Sequence, residues 1–80
     1  MVKWRQEAVK TLLEIAKSKP DLVKLIRLSV QNIEESPDIG QFGMSNLRIY
    51  THTTHRFRIG YSVSQDPEAN WITIIEIGLF

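Results

Sequence analysis

Residues 55–64, HRFRIGYSVS, alternate in character: Phe57, Ile59, Tyr61 and Val63 fall on one side, with Arg56, Arg58, Gly60 and Ser62 on the other. A two-residue period of this kind marks a half-buried β-strand, because successive side chains of an extended chain point to opposite faces. Residues 47–52 alternate too, and residues 71–80 are rich in β-branched and aromatic side chains, so both read as strands. The polar run 65–70, QDPEAN, reads as the turn joining the last two. The second half of the chain is therefore a small sheet.

Toward the N-terminus the period changes. After a short extended start at Val2 and Trp4, the residues Ala8, Val9, Leu12, Leu13 and Ala16 make an apolar stripe at helical spacing. Pro20 cannot continue that helix but is well placed to begin another. The second helix is expected from about Pro20 to Ser36, with Leu22, Val23, Ile26, Val30 and Ile33 on one face, widened by Leu25 and Leu28. Pro37 stops it, since the residue before a proline is pushed out of the helical region. The short connection favours an antiparallel helix hairpin whose stripes share one core. Residues 37–46, with two glycines and no sustained period, read as a loop. Helices first and sheet second make the class α+β.

The 80 residues suit a single domain, 1–80, and 42% apolar content supplies one modest core. Cysteine is absent, which removes disulfides, cysteine-based zinc sites and thiol nucleophiles together. Lys3, Arg5, Glu7 and Lys10 interrupt any signal-peptide core. A soluble, cytoplasmic protein without membrane association is the expectation. Ten basic against nine acidic residues leave a net charge of +1, but the distribution is uneven. Residues 41–60 carry Arg48, Arg56 and Arg58 with no acid, together with His52 and His55.

Whether those groups form one surface depends on strand register. A three-residue loop, Thr53-Thr54-His55, would pair His52 with Arg56, Tyr50 with Arg58 and Arg48 with Gly60. Pairing Val63 with Trp71 would then set Ile59 by Ile75 and Glu76 opposite Arg58, an ion pair worth about 0.2–1 kcal/mol. One face is then apolar and receives the helices; the other carries Arg48, Tyr50, His52, Arg56, Arg58, Ser62 and Glu76. Two readings of that polar face stand. It is an ordinary solvated surface, or its arginines bind phosphate while Tyr50 stacks on an unpaired base. His52 and His55 suit proton transfer or simple loop exposure, and without a third ligand beside them no metal site is expected.

Several strings, in order, resemble the RelE/ParE toxin superfamily of bacterial toxin–antitoxin systems. They are Val2-Lys3-Trp4 with Glu7-Ala8, Ile33-Glu34-Glu35-Ser36-Pro37 before a glycine-containing loop, and Leu47-Arg48-Ile49-Tyr50. The most characteristic is Phe57-Arg58-Ile59-Gly60-Tyr61-Ser62-Val63, followed by Ile74-Ile75-Glu76-Ile77-Gly78. The resemblance implies a β-α-α-β-β-β order, with the helix hairpin on one face of a mostly antiparallel sheet. It implies an antitoxin partner and, in the RelE-like branch, metal-independent and cofactor-free cleavage of mRNA in the ribosomal A site. Arg58 matches the phosphate-contacting arginine. With it, His52 and His55 are the candidate catalytic residues, and Arg48, Tyr50 and Arg56 the candidate RNA-binding ones. RelE-like nucleases continue past the last strand with a basic residue, where this sequence has Leu79-Phe80. That departure keeps two rivals open: a catalytically silent antitoxin-binding module of the same fold, and a ParE-like inhibitor of DNA gyrase. The apolar Leu79 and Phe80 also suggest homodimerisation through the last strand.

Overall fold

The computed structural model describes residues 2–43, 46–64 and 71–80. Strand β1 (Val2–Trp4) leads into α1 (Gln6–Ser18) and α2 (Pro20–Glu35), and a 3₁₀ turn (Pro37–Ile39) follows. Strands β2 (Gln41–Phe42), β3 (Leu47–His52), β4 (Phe57–Val63) and β5 (Ile72–Leu79) complete the chain. The α+β class and the expected order of helices and strands are borne out. One element is new: part of the stretch expected as a loop is the 3₁₀ turn and the edge strand β2, where Gln41 pairs with Ile49 and Phe42 with Arg48. The expected turn at 65–70 lies outside the described residues.

Helix α1 presents a rotated version of the expected stripe, while α2 keeps the expected face apart from Leu28. In α1 the buried positions are Ala8 and Ile15, with Leu12 partly buried between them, a series spaced i, i+4, i+7. Val9, Leu13 and Ala16 form a parallel series on the exposed side, and Leu13 is 61% exposed. Two overlapping apolar series were available, and packing of α1 against β5 and α2 selects the one that contains Ile15. In α2, Ile26, Val30 and Ile33 are buried as expected. Leu28 instead points outward at 56% exposure, while the smaller Ser29 is buried. Pro20 occupies the first turn of α2, and the Lys19 N–H closes α1 on the Ile15 carbonyl at 2.7 Å.

The sheet runs β1-β5-β4-β3-β2, with β1 parallel to β5 and the other pairs antiparallel. Phe57, Ile59 and Tyr61 of β4 join Ile72, Ile74 and Ile77 of β5 in the core beneath the helices. Burying an aliphatic or aromatic side chain contributes about 1.5–3 kcal/mol, so these six residues dominate the cohesion of the sheet with the hairpin.

The register differs from the expected one, with consequences for every polar residue nearby. His52 pairs with Phe57, Thr51 with Arg58, Tyr50 with Ile59 and Arg48 with Tyr61. The connecting loop is therefore four residues, Thr53 to Arg56, rather than three. Residues paired in an antiparallel ladder share a face. Arg48, Tyr50 and His52 thus lie on the side of Phe57, Ile59 and Tyr61, and Arg58 lies on the opposite side with Thr51. The single expected polar face does not form. In β5, Val63 pairs with Ile72, not Trp71, and a bulge between the Gly60–Glu76 and Tyr61–Ile74 pairs leaves Ile75 unmatched. Arg58 consequently stands opposite Gly78, and Glu76 opposite Gly60, so the expected Arg58–Glu76 cross-strand pair is replaced. A one-residue bulge lets β5 turn Ile72, Ile74 and Ile77 inward although their spacing breaks the two-residue period.

Candidate functional site

The four-residue loop ends on Arg56, whose φ of 59° places it in the left-handed region. A side chain there strains the backbone by about 1–3 kcal/mol, and glycine or asparagine is the usual occupant. Arg56 is held by the end of β5: its Nε donates to the Phe80 main-chain oxygen at 2.8 Å. In return the Phe80 N–H donates to the Arg56 carbonyl at 3.0 Å. Such outliers gather where a site requires a particular side chain.

Arg58 and Arg56 converge on one aromatic ring. The Arg58 guanidinium carbon lies 4.5 Å from the centroid of Phe80, and that of Arg56 lies 5.6 Å away. A ring shared by two guanidinium groups offsets part of their mutual repulsion through its quadrupole. Both arginines are exposed, so their remaining N–H donors face solvent on the sheet surface that carries no helix. A planar fork of donors suits the oxygens of a phosphate or carboxylate.

The two histidines stand at the same end of the sheet. The His52 ring stacks on Phe57, with centroids 4.8 Å apart and planes 14° from parallel. The His55 main-chain N–H donates to His52 Nδ1 at 3.2 Å, and the two rings are 5.0 Å apart. With Nδ1 accepting, the neutral His52 ring carries its proton on Nε2. His55 is exposed in the loop. Four of the six sequence-predicted site residues, Arg56, Arg58, His52 and His55, therefore belong to one hairpin end, but His52 lies on the core-side face with Phe57 while Arg58 lies on the opposite face.

Arg48 and Tyr50 are not among them. The Arg48 side chain is 23% exposed and turns to the 3₁₀ segment. Its guanidinium lies 3.5 Å from the Gly40 carbonyl, 3.5 Å from the carboxylate of the solvent-exposed Asp38, and 5.0 Å above the Phe42 ring. Tyr50 is partly buried against the core. Beside Arg48, the Tyr61 hydroxyl donates to the Pro37 carbonyl at 2.5 Å and accepts the Gly40 N–H at 3.0 Å. Burial pushes the Tyr61 phenol above its ordinary value, and the Gly40 hydrogen bond and the nearby Arg48 charge oppose that rise.

Sequence reasoning missed two participants. Phe80 read only as an apolar end, and nothing local in the sequence announces that two arginines would share its ring. The Tyr61 latch had a signal: a tyrosine on a core-facing strand position must find partners for its hydroxyl. Among the described residues no group of three or more His, Asp or Glu side chains is placed to hold a metal ion. Among the same described residues no helix is long and apolar enough to cross a membrane.

No protein-family model and no curated protein matches the chain. Solved structures do match. The isolated E. coli RelE toxin superposes with a TM-score of 0.79 at 18% identity, over 99% of this chain and 82% of that one. The intact E. coli RelBE toxin–antitoxin complex gives 0.79 at 18% identity, covering 100% and 95%. The YoeB/ParE toxin from Agrobacterium tumefaciens gives 0.77 at 16% identity, covering 99% and 96%. The chain has the fold of the RelE/ParE toxins along its whole length.

Proposed function

We propose that this chain is the toxin of a toxin–antitoxin pair and cleaves ribosome-bound mRNA in the RelE manner. The observation that carries the reading is the pair of exposed guanidinium groups, Arg56 and Arg58, gathered at Phe80 on the hairpin whose loop end also carries two histidines. In metal-independent RNA cleavage the 2′-hydroxyl attacks the adjacent phosphorus, a cyclic phosphate forms, and the P–O5′ bond breaks with its electron pair leaving on O5′. The protein must accept the proton released by the 2′-hydroxyl, neutralise charge on the non-bridging oxygens and supply a proton to O5′. Arg58, the match to the family's phosphate-contacting arginine, and Arg56 supply the charge. His52 or His55 moves the proton. The strained backbone at Arg56 supports a requirement for that side chain in that place. The ribosomal target puts the protein in the cytoplasm, and the partner is an antitoxin that covers the arginines. Codon-dependent strand breaks in a ribosome toeprinting assay, lost in Arg58→Ala, are the expected result. Absence of cleavage together with normal growth on expression would overturn the enzyme.

One observation favours a second reading. Phe80 stands where the family's nucleases continue with a basic residue, so the chain also suits a silent antitoxin-binding module. Antitoxin capture without cleavage would identify it, and inhibition of supercoiling would identify a gyrase poison instead.

A further inference from the structure

The eight-residue β5 is covered unevenly on its two edges. Along one it pairs with β4 from Ile72 to Leu79. Along the other, β1 pairs only with Ile72, Thr73 and Ile74. The last bond on that side runs from the Arg5 N–H to the Ile74 carbonyl at 2.9 Å, after which the chain leaves for α1. From Ile75 onward no strand among the described residues lies on the outer edge. The Phe80 N–H donates to the carbonyl of Arg56, the loop residue just before β4. Alternation along the ladder therefore turns the main-chain groups of Gly78 and Glu76 toward β4, and those of Ile77 and Leu79 outward.

We propose that this edge is a self-association surface, on which a second copy of the chain adds its own β5 antiparallel about a two-fold axis at Ile77. The argument is charge and shape complementarity. In that register Glu76 of each protomer lies opposite Gly78 of the other in a close, non-hydrogen-bonded pair. Gly78 leaves open space: a Cβ built on it meets nothing within 4 Å. Directly across Gly78 on the same sheet face stands Arg58. Within one protomer the Glu76 side chain leans over Gly60; on pairing it swings outward across the partner's side-chain-free Gly78 position toward that protomer's guanidinium, and the symmetry makes the contact twice. The exposed Leu79 adds apolar area to the seam. Edge strands that stay single are normally blunted by lysine or proline, and residues 75–79, IEIGL, contain neither. A seam of this length falls below the roughly 1,200 Å² of stable interfaces, so the dimer exchanges rapidly. It also draws Arg58 away from phosphate, which couples assembly to the cationic site. The inference rests on strand pairing and stands apart from the proposed nuclease activity.

The chain's lack of cysteine gives a clean test. Glu76→Cys and Gly78→Cys are made separately in the full chain, mixed, and oxidised at equilibrium. The facing pair has a Cα separation suited to a disulfide, so the mixture forms a heterodisulfide far faster than either variant alone. Sedimentation of the native chain gives a concentration-dependent monomer–dimer equilibrium. Glu76→Arg weakens that equilibrium by about tenfold, since two attractive contacts become repulsive, and Arg58→Glu in the same chain restores it. A concentration-independent monomer overturns the proposal. So do equal oxidation rates in mixed and single samples, and a charge reversal that its partner reversal fails to rescue.

Discussion

The hydroxyl of Tyr61 on β4 and the main-chain N–H of Gly40 are joined at 3.0 Å, across the gap between the central sheet and the segment after α2. The contact is tight: a Cβ at Gly40 would lie 2.5 Å from the Tyr61 oxygen and 2.8 Å from the ring. The same hydroxyl donates to the Pro37 carbonyl. One phenol therefore anchors both ends of the 3₁₀ turn, and with it the path into β2.

Tyr61→Phe removes both bonds and leaves a buried Gly40 N–H without its acceptor. An unsatisfied buried group costs about 1–3 kcal/mol. Urea unfolding is expected to show a lower midpoint by that amount with an unchanged slope. A variant as stable as the native chain would refute the anchoring role.

Alkali acts through the same group. Burial holds the folded-state Tyr61 phenol above the ordinary tyrosine value of about 10. For an acid raised on folding, the folded state keeps its proton longer than the unfolded state, so stability falls as pH rises. The contribution is fully present below pH 10 and is lost above it, through the folded-state value. Thermal midpoints of the native chain should drop above pH 10 more steeply than those of Tyr61→Phe. Parallel profiles would count against this coupling.

Gly40→Ala places a methyl group where the phenol sits. Overpacking of this kind costs about 1–3 kcal/mol. Because the two residues are in contact, the Gly40→Ala and Tyr61→Phe penalties should combine non-additively in a double-mutant cycle. Additive effects would mean that the turn shifts freely away from the ring.

Arg56→Gly relieves the left-handed backbone. It is expected to raise stability by up to about 1 kcal/mol, net of the entropy that glycine returns to the unfolded chain. The guanidinium bond to the Phe80 oxygen is lost at the same time. A more stable protein with weaker binding of inorganic phosphate or oligonucleotide is the predicted trade. Loss of stability would show that the Arg56–Phe80 strap outweighs the strain.

The neutral His52 ring should be the Nε2–H form, because Nδ1 accepts the His55 N–H. Long-range ¹H–¹⁵N correlation spectra at alkaline pH report that tautomer directly. The opposite tautomer would break the loop's hydrogen bond.

Much of the architecture was legible from residue spacing. Proline at 20 and 37 bounds α2 as the backbone rules require, and Phe57, Ile59 and Tyr61 face inward because a strand over an apolar core admits no other phase. The site was legible only in part. Arg56, Arg58, His52 and His55 were identifiable as a cluster from their sequence proximity. Arg48, Tyr50 and His52 belonged to the same expected face as Arg58 but stand on the other, because β3 has apolar side chains on both of its faces. Leu47 and Ile49 compete with Tyr50 for the core, so the hydrophobic pattern leaves the phase of β3 undecided. The arrangement settles when Tyr50 packs inward and Arg48 reaches past the core to the 3₁₀ turn.

Composition and periodicity determined which segments are helices and which are strands, since those depend on interactions a few residues apart. Tertiary structure decided the faces. A fourth loop residue before Phe57 and an unmatched Ile75 each shift the pairing by one position. In a strand, one position is the difference between the core and the solvent. Such shifts depend on contacts that close only when distant strands meet. The gathering of Arg56 and Arg58 on Phe80, more than twenty residues away along the chain, is a consequence of that closure.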